Sequence, residues 1–262
     1  MFLSICWAIL HGIENYSFLL YNSCIRHGRK SMKYKNVIQG NFISRPNRFI
    51  AKVLVDGYQE TVHVKNTGRC REIFIPGATV YLSVSDNHAR KTKYDLIAVE
   101  KTTENGTILI NTDSQIPNYC AEEFLPHSGL FPSDVKIRRE VKYGNSRFDI
   151  FAEYEDKKAF IEVKGVTLEN DGTALFPDAP TERGVKHIRE LIKAKKEGYD
   201  AYIMFIIQMD KVHTFSPNTK THPEFAEALK EAHKNGVKIL AYKSEITPDS
   251  ITVTVPVKVK LT

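Results

Sequence analysis

Apolar and polar residues alternate with a short period between Val37 and about Thr112. The stretch Ala51–Val55 places every second residue on one apolar face, and Val80–Val84 repeats the pattern. Asp56-Gly57 and Asn105-Gly106 separate neighbouring runs, and both dipeptides are typical of two-residue β-hairpin turns. About five short strands without a long helix predict a small OB-like β-barrel.

In the second half of the chain, the pattern of apolar residues predicts both strands and helices. Thr181 is an N-cap candidate for a helix that is apolar on one stripe and stops at Gly198. Ala201–Met209 is nearly all apolar, as in a central strand covered on both faces. An amphipathic helix over Pro223–Asn235 and a strand over Val237–Tyr242 follow, which predicts an α/β domain.

Charged residues interrupt two apolar strands that precede this region. Asp149 lies between Phe148 and Ile150, and we expect its carboxylate on the face opposite both neighbours. Glu162 and Lys164 share one face of the next strand, since side chains two residues apart point the same way. A polar turn joins the strands, so Asp149 and Glu162 can meet side by side.

These residue types predict a metal-dependent phosphodiesterase site. Asp149 and Glu162 would be the metal ligands, because two carboxylates with a backbone carbonyl and waters suit Mg²⁺ or Mn²⁺. Lys164 would hold the attacking water or stabilise charge at phosphorus. Glu140 is a candidate third acid, from the segment before the metal strands. The alternatives are a solvated salt-bridge ladder for the first three residues and an ordinary exposed glutamate for Glu140.

Composition fits a nucleic-acid partner without requiring one. Lys and Arg number 37 against 31 Asp and Glu, which gives a net charge of +6 and favours a polyanionic ligand. The four cysteines are scattered, without Cys-x-x-Cys pairs or nearby histidines at zinc spacing. A structural zinc site or a disulfide framework is therefore not expected, and the chain is predicted to be cytoplasmic.

The first 31 residues differ from the rest. Met1–Leu10 is apolar, but no positive charge precedes it and His11 interrupts it, so it fits neither a secretory signal nor a membrane span. We interpret residues 1–31 as a disordered or non-native extension before a start at Met32, with a membrane-touching segment as the alternative. No stable membrane association is expected.

Several longer motifs identify a family resemblance. They are Glu162–Leu168, Phe176–His187, Val141–Gly144 and Gly236–Lys243, within a match from about Met32 to the C-terminus. This pattern resembles the bacterial and archaeal sugar fermentation stimulation protein family. The resemblance implies an N-terminal OB-like nucleic-acid-binding domain followed by a PD-(D/E)xK nuclease-like domain. It also implies sequence-nonspecific DNA binding and a link to maltose use.

Basic residues supply candidate nucleic-acid contacts in both halves. The barrel offers Arg45, Arg48, Arg69 and Arg71. One turn of the helix after Thr181 offers Arg183, Lys186 and His187, which the spacing can direct at a phosphate backbone. Phe42, Tyr58 and Tyr81 can stack on bases, although a core role is more usual for each.

We predict three segments and a nucleic-acid partner, with DNA as the expected polymer. Residues 1–31 form the extension, 32–112 the OB-like domain and 113–262 the nuclease-like domain, with independent folding after a cut near 111–115. The function predicted is nonspecific DNA binding with Mg²⁺-dependent nuclease activity. A non-catalytic DNA-binding regulator and an RNA-processing nuclease are the alternatives, and the sequence leaves a homodimer open.

Overall fold

The alternating pattern of the N-terminal part forms a six-stranded barrel. The computed structural model describes residues 31–66, 68–87, 89–104 and 106–261. The barrel strands are β2 (Val37–Asn47), β3 (Ile50–Val55), β4 (Tyr58–Val64), β5 (Thr79–Val84), β6 (Tyr94–Thr103) and β7 (Gly106–Asn111). Their order is β4-β3-β2-β5-β6-β7, and a parallel pairing of β4 with β6 closes the sheet.

The predicted hairpin turns lie where the sequence places them. Asp56 and Gly57 join β3 to β4 with φ angles of 49° and 83°, the left-handed conformations that a two-residue turn requires. The β6–β7 turn also forms at Gly106, while Asn105 lies outside the described residues. Alternate side chains such as Val53, Val62 and Leu82 are fully buried inside the barrel. The predicted barrel is confirmed.

A seven-stranded sheet forms the second half. Its strands are β1 (Met32–Lys33), β8 (Lys136–Tyr143), β9 (Ser146–Tyr154), β10 (Lys157–Val166), β13 (Asp200–Ile207), β15 (Lys238–Thr247) and β16 (Ser250–Pro256). The order is β1-β16-β15-β13-β10-β9-β8, with β10, β13 and β15 parallel. The apolar strand β13 is central, as its sequence predicts. β1 pairs with β16, so the start of the described chain completes this sheet rather than the barrel.

Three helices cover the two faces of this sheet. They are α1 (Ile116–Phe124), α2 (Glu182–Lys196) and α3 (Pro223–Lys234). The buried residues of α1 pack with Ile150, Ile161 and other side chains of one sheet face. Those of α2 and α3 pack on the opposite face, in a core cluster that continues into the barrel.

The helix boundaries follow local chemistry. The Thr181 hydroxyl accepts a hydrogen bond from the Gly184 N–H at 3.1 Å, which confirms the N-cap of α2. Gly198 ends that helix region with φ 94°. Helix α1 begins at Ile116, and Pro117 fits its first turn. A 3₁₀ turn, Leu125–His127, extends it.

A four-stranded sheet was not predicted. It contains β11 (Leu168–Asn170), β12 (Thr173–Phe176), β14 (Thr214–Pro217) and β17 (Lys258–Val259), in the order β11-β12-β14-β17. Strands of two to four residues carry too few positions for a periodic signal. Its first two strands, β11 and β12, lie between the end of β10 and the start of α2.

Within the described ranges, no helix is both long and apolar enough to cross a membrane. The predicted extension falls almost entirely outside those ranges, which begin at Ser31.

Candidate functional site

The two strands that carry the predicted acids separate where the acids lie. Pairing of β9 with β10 ends at Ile150–Ile161, one position before Asp149 and Glu162. The Asp149 Oδ2 atom instead accepts a hydrogen bond from the Val163 N–H at 2.8 Å. The Asp149 side chain thus takes the place of a backbone acceptor of the strand pairing. This hydrogen bond holds Asp149 beside the segment Glu162–Lys164.

The regular alternation of β9 breaks at this residue. Phe148 packs in the core under α2, whereas Ile150 packs in the core under α1, so the two neighbours of Asp149 lie on opposite faces. The prediction that Asp149 faces away from both is therefore wrong. The facing strand β8 adapts at the same level, since Glu140 adopts φ 57° and β8–β9 pairing skips it.

Asp149 is held by a side chain that the sequence did not point to. The Asn118 amide Nδ2 donates to Asp149 Oδ1 at 2.9 Å, so both carboxylate oxygens have a donor. Burial, followed by the negative charge of Glu162, raises the pKa of the Asp149 carboxyl above its ordinary value. Pro117, a helix-start residue just before Asn118, is the signal that could have extended α1 to include it.

Glu162 is the centre of a buried polar cluster. It is 2% exposed, and its Oε1 atom accepts hydrogen bonds from Lys164 Nζ and His187 Nδ1. Burial raises the pKa of Glu162, but the Lys164 charge and the His187 hydrogen bond outweigh it, so the pKa lies below its ordinary value. The second oxygen, Oε2, is buried and has no hydrogen-bond partner among the described residues.

His187 lies inside the site and not on the basic surface predicted for it. It is 6% exposed, because the turn of α2 that follows the Thr181 cap packs directly over β10. Arg183 Nε donates to His187 Nε2 at 3.4 Å, which leaves Nδ1 as the donor to Glu162. Arg183 and Lys186 are exposed, as predicted, and Lys186 Nζ donates to the Asn145 carbonyl at 3.2 Å.

Glu140 does not contact the other acids. Its side chain is exposed and pairs with Arg147 Nε at 2.7 Å. Across the described part of the chain, no three His, Cys, Asp or Glu side chains gather as a metal-binding group. The site therefore presents two carboxylates, and the third-acid hypothesis for Glu140 receives no contact in its support.

The predicted barrel arginines surround one shallow pocket. Its lining consists of Arg45, Asn47, Arg48, Gly68, Arg69, Arg71 and Phe74, and its volume is about 260 Å³. Arg48, Arg69 and Arg71 are exposed. Arg45 has a different role, since its guanidinium donates to four backbone carbonyls of neighbouring loops at 2.5 to 2.9 Å. It organises the pocket, while the other three arginines present charge.

A clamp joins this pocket to the beginning of α2. The Arg69 backbone N–H donates to the Asp178 carboxylate, which lies four residues before helix α2 begins. A side chain at Gly68 would place its Cβ 2.4 Å from Asp178 Oδ2, so only glycine allows this approach. Burial raises the pKa of Asp178. The clamp fixes the arginine pocket relative to the helix that carries Arg183 and His187.

The three predicted stacking residues of the barrel differ in exposure and in the contacts of their side chains. Phe42 is 3% exposed and stacks on Phe74 with ring centroids 5.4 Å apart. The Tyr81 hydroxyl donates to Glu100 at 2.8 Å. Tyr58 is 76% exposed at the start of β4.

Comparisons with known proteins match both halves of the chain. The model described as SfsA N-terminal OB domain matches residues 43–110, and the model described as Sugar fermentation stimulation protein RE domain matches residues 115–250. A sugar fermentation stimulation protein homolog of Desulfitobacterium hafniense is 57% identical over 230 residues, covering 88% of this chain and 99% of its own. One from Clostridium beijerinckii is 54% identical over 222 residues, with 85% and 96% covered.

A solved structure has the same fold. The SfsA protein of Pyrococcus furiosus in complex with Ca²⁺ aligns with a TM-score of 0.76 and 31% identity, covering 87% of this chain and 98% of that chain. The two halves, their order and their spacing agree with the resemblance found in the sequence motifs. The chain therefore belongs to the sugar fermentation stimulation protein family.

Proposed function

We propose that this protein is a metal-dependent nuclease whose barrel and helix α2 hold a strand of DNA. The observation that carries the proposal is the Asp149–Glu162 pair, in which a half-buried and a buried carboxylate converge with Lys164 and His187. Buried acids with few compensating charges are costly to a fold, and they concentrate at functional sites.

The carboxylates fit a divalent cation on two grounds. Glu162 Oε2 is buried without a hydrogen-bond partner among the described residues, which leaves one anionic oxygen available as a ligand. A bound cation would also offset the burial and the Glu162 charge that raise the pKa of Asp149. Asp149 and Glu162 would hold Mg²⁺ or Mn²⁺, with water and backbone carbonyls completing the shell. When bound, the cation would activate water and neutralise charge on a phosphate oxygen. The Pyrococcus furiosus relative is described with Ca²⁺, another oxygen-binding cation.

The neighbouring side chains orient these acids. Asn118 and the Val163 N–H fix Asp149, and His187 fixes Glu162 in the orientation that leaves Oε2 free. The Lys164 ammonium, which is 19% exposed, can hold the attacking water or a phosphate oxygen beside Glu162. Arg183 is exposed one turn before His187, where its remaining donors can meet a phosphate.

A non-catalytic DNA-binding regulator is the second candidate. The observation that favours it is the lack of a third acidic side chain in the described part of the site. In this version the arginine pocket and α2 grip DNA, and the regulation of sugar metabolism follows from binding. An RNA substrate remains the alternative to DNA in both versions, since OB barrels accept either polymer.

One assay tests the proposed function. Purified protein is incubated with labelled single-stranded and double-stranded DNA and RNA, in Mg²⁺, in Mn²⁺ and in EDTA. Cleavage that requires either cation supports the nuclease. Binding of DNA without cleavage under every condition supports the regulator, and the lack of both binding and cleavage contradicts the two candidates together.

Replacing Arg69 and Arg71 with alanine should weaken nucleic-acid binding and reduce its dependence on salt. Each phosphate contact contributes close to one unit to the slope of log affinity against log salt, so the slope should fall by about one to two. Both side chains are exposed in the pocket, and the fold should tolerate their loss. Fluorescence anisotropy across a salt series in EDTA measures the change.

A matched pair of lysines provides the control for this experiment. Lys157 and Lys158 are exposed at the beginning of β10, at the opposite end of that strand from Lys164. Alanine at both positions removes the same charge and should leave the slope near the wild-type value. Equal slopes for the two double variants would assign binding to overall charge and not to the pocket.

A further inference from the structure

An exposed aromatic ring and an arginine form a stacked pair beside the carboxylate site. Tyr119 of α1 is 42% exposed, although the helix buries most of its other apolar residues. The Arg139 guanidinium of β8 lies over the Tyr119 ring, 4.1 Å from its centroid. Glu122, on the same helix, lies 3.6 Å from Arg139 and holds it in this orientation. The pair forms a flat platform, which we call the Tyr119–Arg139 platform.

Two separate elements place the platform next to Asp149. On α1, Tyr119 directly follows Asn118, which donates to Asp149 Oδ1 at 2.9 Å. On β8, Arg139 pairs across the sheet with Ile150, which directly follows Asp149. Consecutive Cα atoms are only about 3.8 Å apart. A nucleotide whose phosphate reaches Asp149 can therefore place its base on this platform.

The chemistry of the platform selects a planar ligand. Bases stack on tyrosine rings and on arginine planes without regard to sequence, because each base has a π face. The exposed area of Tyr119 lies on α1 beside Arg139, one residue after the Asn118 that binds Asp149. A base inside a duplex is already stacked on its neighbours and cannot occupy such a surface unless it leaves the helix.

We propose that the Tyr119–Arg139 platform stacks an unpaired nucleobase beside the phosphate held at Asp149 and Glu162, so that the strand in the site is single-stranded. This inference rests on the proposed nucleic-acid function and names its substrate class. It also gives the barrel a matching role, since OB barrels follow single strands with a basic groove. The arginine pocket, clamped to the beginning of α2 through Asp178, would hold the same strand further along.

The first test measures the affinity of short single-stranded DNA in EDTA, where cleavage does not interfere. Tyr119→Ala should weaken binding about tenfold, within the range found for loss of one base–aromatic stack. Tyr119→Phe keeps the ring and should bind like the wild type. Leu54→Ala removes an exposed apolar side chain of β3 that has no assigned role in binding and should change affinity less than about twofold, so it serves as the control.

An abasic substrate separates stacking from a structural role of Tyr119. Wild-type affinity should fall about tenfold when the base at one position along the oligonucleotide is removed, and at that position Tyr119→Ala should bind as well as the wild type. A replacement that only disturbed α1 would weaken binding of intact and abasic strands equally. A 2-aminopurine at the same position should lose fluorescence on binding to the wild type and to Tyr119→Phe, but not to Tyr119→Ala.

The outcomes distinguish this proposal from the proposed function. Equal affinities of the wild type and Tyr119→Ala for every intact strand would overturn the platform and leave the nuclease standing. A loss on Tyr119→Ala that is as large for blunt duplex as for single strands would overturn the single-strand assignment. No binding or cleavage of any nucleic acid by the wild type would overturn both.

Discussion

Replacing Asp149 with asparagine, or Glu162 with glutamine, should reduce metal-dependent cleavage at least about a hundredfold. Each change removes one of the two carboxylate charges available to a cation and keeps the shape of the side chain. The amides preserve much of the surrounding packing, which matters because Glu162 is 2% exposed. Binding of nucleic acid in EDTA should stay within a few fold of the wild type. Single-turnover cleavage in Mg²⁺ and anisotropy in EDTA measure the two quantities.

Lys164→Ala completes this experiment as a contrasting variant. An ammonium is not a metal ligand, so the variant should lose turnover and keep its affinity for Mn²⁺, measured by calorimetry or by electron paramagnetic resonance. Loss of Mn²⁺ affinity as large as that of the Asp149 variant would contradict the role given to Lys164. Cleavage that persists unchanged in the Asp149 and Glu162 variants would assign the activity to a contaminating nuclease.

The sequence was sufficient where a local rule determines the structure. The Asp56-Gly57 turn, the Thr181 cap and the apolar strand β13 lie where their patterns place them. The strand rule also places Glu162 and Lys164 together, and Lys164 Nζ does donate to Glu162 Oε1. For the turn, the cap and the Glu162–Lys164 pair, the determining contacts lie within a few residues of each other in the chain.

The sequence was insufficient where contacts join distant segments. The sequence predicts His187 on a basic helix face. Only the packing of α2 over β10 places it next to Glu162. Asn118 is 31 residues from Asp149, and no local signal couples them. The change of face at Asp149 lies at the same level as the left-handed Glu140 of the neighbouring strand, and a period of two reveals neither feature.

Replacing Gln208 with leucine should destabilise the whole protein by about 3 kcal/mol, because it removes a buried link between the barrel and the α/β part. Gln208 is 1% exposed, and its Nε2 lies 3.0 Å from the Asn111 carbonyl, from Asn111 Oδ1 and from the Asp113 carbonyl. The side chain reaches β10 closely, since a Cβ at Gly165 would lie 2.5 Å from Gln208 Oε1. Leucine would remove one donor from each of these acceptors, and only the Asp113 N–H at 3.1 Å would still reach Asn111 Oδ1 and the Ile116 N–H at 3.4 Å the Asp113 carbonyl.

The same contacts bear on the expectation that the two halves fold apart after a cut near 111–115. Asn111 and Asp113 are buried in the join, and the Asn111 N–H donates to the Gln208 carbonyl at 3.0 Å. Lys101 of β6 pairs with Glu169 of β11 at 2.6 Å, and β1 pairs with β16. A cut there would separate buried partners, so we expect neither fragment to reach the stability of the intact chain.

Thermal unfolding of the full chain measures the Gln208 effect, and the midpoint should fall by about 8 °C. Gln59→Leu is the matched control, since Gln59 is exposed on β4 and its replacement should change stability by less than about 0.5 kcal/mol. If Gln208→Leu unfolds at the wild-type midpoint, the Gln208 side chain contributes nothing measurable to the join. Independent folding of residues 32–112 and 113–262 would then regain support, because the most buried polar link between the halves would be dispensable.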